Sequence, residues 1–291
     1  MKLACIPAYN EESNIENLIK SAKNYVDNVV VCDDGSTDNT AKIAKESGAV
    51  VISHEKNSGY GSAIISLFDY ARKQNAQMIV TIDGDGQHDP TQIPLLFKTL
   101  TQHNVDVVIG SRFLDDTIDV PEFRKRGIKI ITSALNIGIN FKISDSQSGF
   151  RAYSKKAIDE IHPTENGMSV STEILFKISN KGLSLAEVPI TVSYEGDTSQ
   201  QHAVPHGVSV LANTLKFVSI KHPLQFYGIP GLGLVLAGII LGAIFFNTYI
   251  EDDVILYGSL LASVVMFLLG AILSATAIIL FSMANLMRNR T

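Results

Sequence analysis

The stretch MIVTIDGDGQHDP, Met78 to Pro90, sets two aspartates, Asp83 and Asp85, on either side of one glycine at the end of an apolar run. Carboxylates at i and i+2, with the Gln87 amide two residues on, are hard oxygen donors of the kind Mg²⁺ or Mn²⁺ takes. So few protein ligands leave room for water and a bound diphosphate. Such a metal would neutralise the charge that builds on a departing nucleoside diphosphate. A calcium loop of the EF-hand type is excluded. It needs Gly at the sixth position and Glu at the twelfth, and counting from Asp83 these are His88 and Pro94.

A third chemistry, an aspartyl-phosphate nucleophile, also follows an apolar strand with Asp-x-Asp-Gly. Phosphatases of the haloacid dehalogenase kind carry that motif on their first strand, with Thr or Val after its Gly. Here it lies on the fourth strand-like run and Gln87 follows. The metal clamp on a nucleotide diphosphate fits best.

The elements that must position this pair can be read from patterning. Strand-like runs at Lys2–Ala8, Asn28–Asp34, Ala49–His54, Gln77–Asp83 and Val105–Ser111 alternate with helix-like runs at Ser13–Tyr25, Asp38–Ser47, Gly59–Gln74 and Thr91–Gln102. Short apolar strands alternating with helices predict an α/β fold with a mostly parallel sheet covered on both faces. Beyond Ser111 the reading is of loops to about Ser154, then a helix near Thr172–Lys181 leading into SLAEVPITVSY. Ligands of such sheets sit beyond the carboxyl ends of the strands. Those ends carry Pro7-Ala8-Tyr9-Asn10-Glu11, Asp33-Asp34-Gly35-Ser36-Thr37-Asp38, Asn57-Ser58-Gly59-Tyr60-Gly61 and the acid pair. The second cluster could equally be a turn with a helix cap, and the third plain loop glycines. The functional reading rests on four polar clusters meeting along one rim.

Hydrophobic residues make up 46% of the 291-residue chain, more than a soluble core needs, and they concentrate at one end. Phe226 to Ile250 has no charged side chain, and none occurs from Val254 to Met287. At ~1.5 Å per residue, ~20 apolar residues cross a bilayer core. The alternative is a buried hairpin of a soluble core, but such helices keep a polar face. The expected organisation is a catalytic head over residues 1–205, an amphipathic interfacial helix over 206–224, and a transmembrane hairpin over 225–287, with spans near 226–250 and 256–282. Val208, Leu211, Leu215 and Val218 supply the helical stripe of the middle segment. An ordinary helix packed on the head would read the same way.

The net charge of −5 provides no basic surplus for nucleic acid. Cys5 and Cys32, both in strand-like runs, read as small core residues in a reducing compartment. The chain opens directly on a strand, which predicts no signal peptide. Lys216, Lys221, Arg288 and Arg290 flank the outer ends of the hairpin, with Glu251, Asp252 and Asp253 in its turn. The positive-inside tendency then places the head and both termini in the cytoplasm, as a multi-pass cell-membrane protein.

IPAYNEESNI, VCDDGSTDNT, NSGYGSAI, DGDGQHDP, IGSRF and SDSQSGFRAYSKKA, in this order, resemble a family 2 glycosyltransferase of the GT-A fold. More narrowly they resemble the polyprenyl-phosphate or dolichyl-phosphate sugar synthases of the dolichyl-phosphate mannose synthase type. The likeness runs from Met1 to about Tyr194 and extends to the C-terminal hairpin. It implies nucleotide binding by Pro7, Tyr9, Glu11, Asp33, Asp34, Asn57 and Asp83, and a Mg²⁺ or Mn²⁺ site at Asp83, Asp85 and Gln87. It places Ser111 and Arg112 near the acceptor phosphate, with Arg124 and Arg151 as further candidates. Asp85, Arg112 and Arg124 become the catalytic candidates. Glu173 falls where relatives carry an acid on a helix lining the site.

Partners implied are a nucleotide-sugar donor, GDP-mannose first or a UDP-sugar, a polyprenyl or dolichyl phosphate acceptor, and membrane lipid. An attacking sugar hydroxyl normally needs a general base, whereas a phosphate monoester with a second pKa near ~6 arrives largely ionised. The chain has no tryptophan, so it lacks the Gln-x-x-Arg-Trp signature of processive synthases, and Thr172-Glu173-Ile174 stands where those carry Thr-Glu-Asp. The expected activity is inverting transfer to a lipid phosphate. Transfer of glucose or N-acetylglucosamine from a UDP-sugar, to a lipid phosphate or to a hydroxyl of a lipid-linked glycan, is the alternative. An inactive membrane-tethered nucleotide binder is a further one.

Overall fold

Seven strands form one mixed sheet in the order β3-β2-β1-β4-β6-β5-β7. The computed structural model describes residues 1–115, 120–193, 203–252 and 255–288. Tyr194 to His202, within the expected 1–205 head, lie outside the described residues, as do Asp253 and Arg290. The strands are β1 (Lys2–Ala8), β2 (Asn28–Asp33), β3 (Val50–Ser53), β4 (Met78–Thr81), β5 (Val107–Ser111), β6 (Arg151–Ser154) and β7 (Leu185–Pro189). All neighbours pair in parallel except β6, which runs antiparallel to both β4 and β5.

Helices α1 (Ile15–Ala22), α2 (Thr40–Glu46), α3 (Tyr60–Lys73), α4 (Ile93–Gln102), α5 (Glu122–Gly138), α6 (Lys155–Glu160) and α7 (Val170–Lys181) complete the head. The pleat divides β1 cleanly. Ala4, Ile6 and Ala8 enter a cluster with Ile15, Leu18 and Ile19 of α1 and Ile93, Leu96 and Phe97 of α4. Leu3 and Cys5 point to the other face, where Leu67 and Phe68 of α3 are fully buried. Burying side chains of this size contributes ~1.5–3 kcal/mol each. Phe68 also meets Tyr153 of β6 edge-on, with ring centroids 5.0 Å apart.

Two features depart from the sequence reading. The region between Ser111 and Ser154 is not all loop, since it contains α5 and ends in β6. Phe123, Ile130 and Ile137 of α5 are exposed, so the apolar periodicity of this helix does not mark a single buried face. A four-residue antiparallel strand beginning with Arg151 carries no periodic signal.

The chain divides into two units, Met1–Thr214 and Leu215–Thr291. Helix α8 (Ala203–Lys221) exposes Val208 and Leu215 of the expected stripe while Val210, Thr214 and Val218 are buried. Within the first unit, Asn213 Nδ2 donates to Ser169 Oγ at 3.1 Å, at the start of α7. In the second unit a π-helical turn (Leu224–Gly228) leads into α9 (Ile229–Asp252), which packs on α10 (Tyr257–Arg288). A Cβ on Gly238 would lie 2.8 Å from the Ser263 carbonyl oxygen, so the two backbones approach through a missing side chain. Leu224–Glu251 and Tyr257–Met283 are long and apolar enough to cross a membrane, and most of their residues are not buried. That exposure argues against the soluble-core hairpin.

Candidate active site

The acid loop follows β4 directly. Ile82 N–H donates to the Cys5 carbonyl at 3.1 Å, carrying the strand pairing one residue further. The next residues leave the sheet at its carboxyl rim. Gly84 packs under the Pro7 carbonyl and against Glu11 Cγ, which joins the loop to the end of β1. Gly86 has φ +74° and turns the chain back, and the Asp85 carboxylate accepts the Gln87 N–H at 3.0 Å. Asp83 accepts the Tyr60 hydroxyl at 2.9 Å, and its other oxygen lies 3.8 Å from His88 Nε2.

Burial pushes the Glu11 carboxyl up to about 7, and the charges of Asp85, Asp38 and Asp83 add to this against a hydrogen bond from Asn14. Burial also raises Asp83, outweighing the Tyr60 hydrogen bond and the Arg112 and Arg151 charges. His88 is 6% exposed, and burial pulls it down to about 4, so it is neutral at pH 7. Glu11 thus sits in the field of Asp83 and Asp85, and a cation bound at this rim would relieve that repulsion. Two carboxylates and an amide match the donors Mg²⁺ and Mn²⁺ accept, with substrate phosphates completing the shell. No group of three or more His, Cys, Asp and Glu among the described residues is placed to hold a metal unaided.

The nucleotide rim divides into exposed and occupied groups. Pro7 is buried at the end of β1, and Tyr9 beyond it is 43% exposed. Asp33 is buried and accepts the Ser36 N–H at 3.3 Å. Asp34, expected to hold a base or ribose, is also buried and turns to the protein. It accepts Ser58 N–H at 3.1 Å and Gly59 N–H at 2.7 Å, and pairs with His54 Nδ1 at 2.6 Å. It therefore shapes the Asn57–Gly59 loop. Exposed Asn57 accepts from Gly59 N–H at 3.1 Å. It lines an open cavity of about 660 Å³ with His54, Lys56, Ser62, Ser66 and Asn166.

The acceptor-side candidates also separate. Arg112 donates from Nε and Nη2 to the two oxygens of Asp145, at 2.7 and 2.8 Å. It borders a cavity of about 350 Å³ that is also lined by Lys125, Lys129, Thr132 and Ser144. Arg124, half-buried in the first turn of α5, is not among the residues lining this cavity. Ser111 is fully buried, its hydroxyl 2.6 Å from Ser144 Oγ, and it is not among the residues lining the cavity.

Arg151 lies deeper. It is 2% exposed and donates to the carbonyls of Ser148, Ser171 and Ser146 at 2.8, 3.1 and 2.8 Å. It ties the Ser146–Ser148 loop to the first turn of α7 and acts on Asp83 through its charge. Glu173 is equally occupied. It accepts from Thr164 N–H and Oγ1 and from Glu165 N–H, and pairs with Lys177 at 2.7 Å.

Tyr60, His88, Asp145, His54 and Glu187 were not singled out by sequence. Each lies close in sequence to a motif, except Glu187, whose carboxylate accepts Ser144 N–H at 2.8 Å and Asp145 N–H at 3.1 Å. An acid in the middle of a short apolar run was its only available signal.

A profile described as Glycosyl transferase family 2 matches residues 4–162, more than half of the chain. This chain belongs to glycosyl transferase family 2. The glycosyltransferase is 32% identical over 231 residues to the UDP-N-acetylglucosamine–dolichyl-phosphate N-acetylglucosaminyltransferase of Methanococcus voltae, across 71% of this chain and 89% of that protein. It is 27% identical over 202 residues to the polyprenol monophosphomannose synthase of Mycolicibacterium smegmatis, across 65% and 76%. Its head superposes on glucosyl-3-phosphoglycerate synthase from Mycobacterium tuberculosis, crystallised with Mn²⁺ and UDP-glucose. The TM-score is 0.60 at 24% identity, covering 75% of this chain and 79% of that one. At that identity the likeness speaks for the GT-A fold alone.

Proposed function

We propose that this family 2 glycosyltransferase moves a sugar from a nucleoside diphosphate donor onto polyprenyl or dolichyl phosphate, with inversion, at the cytoplasmic face of a membrane. The observation that carries the donor half is that the Asp83–Gln87 loop closes onto the end of β1, where Gly84 packs on the Pro7 carbonyl and Glu11 Cγ. A divalent metal held by Asp83, Asp85 and Gln87 would supply charge neutralisation to the leaving diphosphate. Tyr9, Asn57 and the loop shaped by Asp34 would seat the nucleoside.

The acceptor half rests on the basic cavity. Arg112, fixed in plane by Asp145, faces it with Lys125 and Lys129. In the proposed step an ionised phosphate oxygen of the lipid attacks the anomeric carbon. A new carbon–oxygen bond forms on one side as the bond to the diphosphate breaks on the other, its electron pair leaving with the nucleoside diphosphate. Attack from the opposite side inverts the centre. No proton need be removed from such a nucleophile, which suits a site whose Glu173 is already saturated by Thr164, Glu165 and Lys177. The two long apolar helices supply a reason for the lipid acceptor to be at hand. Residues 225–287 would anchor the head, with 206–224 at the interface. The relatives named for dolichyl-phosphate and polyprenol acceptors support the same choice.

GDP-mannose and UDP-N-acetylglucosamine are the donors to test first. Purified protein in vesicles, polyprenyl phosphate, Mn²⁺ or Mg²⁺ and a panel of labelled nucleotide sugars should give a labelled lipid. Asp85→Ala should abolish it. Label passing only to glycolipid hydroxyls, and never to the lipid phosphate, would overturn the reading.

A further inference from the structure

Asp83 is enclosed on three sides by groups the reaction does not consume. Tyr60 donates its hydroxyl to one oxygen at 2.9 Å. His88 Nε2 stands 3.8 Å from the other, and its ring lies against Phe150 with centroids 5.3 Å apart. The third wall is backbone, where a Cβ on Gly149 would fall 2.4 Å from Asp83 Oδ2. The carboxylate therefore rests against the Gly149 α-carbon, a place no other residue leaves open.

Tyr60 does not hold its own position. It opens α3 between Gly59 and Gly61, and both glycines are pressed by the Glu165–Gly167 segment. A Cβ on Gly61 would overlap the Glu165 carbonyl oxygen, and Ser62 N–H donates to the Asn166 carbonyl at 3.2 Å. That segment is fastened in turn by Glu173, whose buried carboxylate accepts Thr164 N–H at 2.9 Å, Thr164 Oγ1 at 2.6 Å and Glu165 N–H at 2.9 Å. A continuous path of contacts runs from Glu173, through the Thr164–Gly167 backbone, to the start of α3 and the Tyr60 hydroxyl.

We propose that Tyr60 is a positioning residue that fixes the Asp83 carboxylate for the metal–diphosphate site, and that Glu173 is the anchor that seats Tyr60. The inference rests on the donor half of the proposed function. It gives the buried acid of α7 a mechanical role in place of general-base chemistry. Ligand-orienting partners outside a metal's own shell typically set metal affinity by ~10–100-fold, which is the scale expected for the Tyr60 hydroxyl.

The test is Mn²⁺ binding by calorimetry on the full-length protein in detergent, with nucleoside diphosphate present. Tyr60→Phe keeps the ring and removes only the hydroxyl. Its Mn²⁺ Kd should rise ~10-fold or more, while the melting temperature of the metal-free protein stays near wild type. Glu173→Gln removes one acceptor from the Thr164–Glu165 backbone. It should lower hydrogen-exchange protection at Thr164 and Glu165 and weaken Mn²⁺ in the same direction. Gly149→Ala drives a methyl group into the Asp83 carboxylate without touching Tyr60, so it should also weaken Mn²⁺ and guards against a Tyr60 variant that misfolds. If the wild type binds Mn²⁺ and nucleotide but Tyr60→Phe binds them within about threefold of it, the positioning role is overturned and the donor site stands. If the wild type binds no divalent metal, both fall.

Discussion

Arg112 and Asp145 meet fork to fork, Nε to one oxygen at 2.7 Å and Nη2 to the other at 2.8 Å, with Asp145 fully buried. The aspartate also accepts the backbone N–H groups of Arg112 and Gln147. Burial would push its carboxyl up, but the Arg112 charge and these hydrogen bonds outweigh it and hold the carboxyl below the usual range. A carboxylate depressed in the fold adds stability above its unfolded pKa of about 4, lost as pH falls through the folded value. Asp145→Ala leaves the Arg112 guanidinium without this partner, and losing one member of a buried pair costs about 3–5 kcal/mol. A urea titration at pH 7 should show a loss of that size, shrinking when repeated below about pH 4.

Glu11 and His88 pull the pH dependence of stability in opposite directions. Glu11 rises from 4.5 to about 7, so in the metal-free fold it binds more protons than the unfolded chain across that window. Its contribution therefore improves as pH falls from 7 to 4.5. His88 falls from 6.5 to about 4, so the fold binds fewer protons than the unfolded chain, and its contribution declines on acidification. Thermal melts of metal-free protein between about pH 4.5 and 6.5 should separate them. Glu11→Gln should make the melting temperature fall more on acidification than in wild type, and His88→Gln should make it fall less or rise.

Asp83 is raised by burial although Tyr60 donates to it, so its charge costs the metal-free fold free energy. Asp83→Asn removes that charge and keeps an oxygen for the Tyr60 hydroxyl. The variant should melt higher than wild type without metal. It should lose the stabilisation that Mn²⁺ gives the wild type and be inactive. Differential scanning fluorimetry with and without Mn²⁺ reads both effects.

How much of this was legible beforehand depended on what kind of signal each residue carries. Strands β1 to β5 were readable because their apolar runs are bounded by polar rim residues, and β1 was placed to the residue at Lys2–Ala8. Asp83, Asp85 and Gln87 were readable because their spacing is itself the chemistry. The direction a side chain takes was not. Asp34 and Asp83 follow β2 and β4, the strands on either side of β1, yet Asp34 folds back onto Ser58 and Gly59 while Asp83 borders the metal loop. Arg112 follows Ser111 and Arg151 follows Phe150, each inside a motif, yet Arg151 is sealed among carbonyls and Arg112 lines a cavity. Those outcomes depend on contacts between residues far apart in the chain, including Arg112 with Asp145 and Arg151 with Ser171.

That difference between the arginines and the two lysines gives the last prediction. Arg151→Ala strips donors from three carbonyls in a buried setting, where each unpaired polar group costs ~1–3 kcal/mol. Its defect should be one of folding, visible as low yield and a melting temperature depressed by ~5 °C or more, with no selective effect on acceptor use in whatever folds. Lys125 and Lys129 line the cavity beside Arg112, and among the described residues Lys125 pairs with Glu122 at 3.7 Å. Lys125→Ala with Lys129→Ala should leave melting temperature and nucleotide affinity close to wild type while raising KM for polyprenyl phosphate. Added salt should weaken acceptor use in the wild type more than in the double variant, because screening acts on charges the variant no longer has. A double variant with unchanged acceptor KM, or an Arg151→Ala protein that is stable but selectively blind to lipid phosphate, would reverse the assignment of these cations.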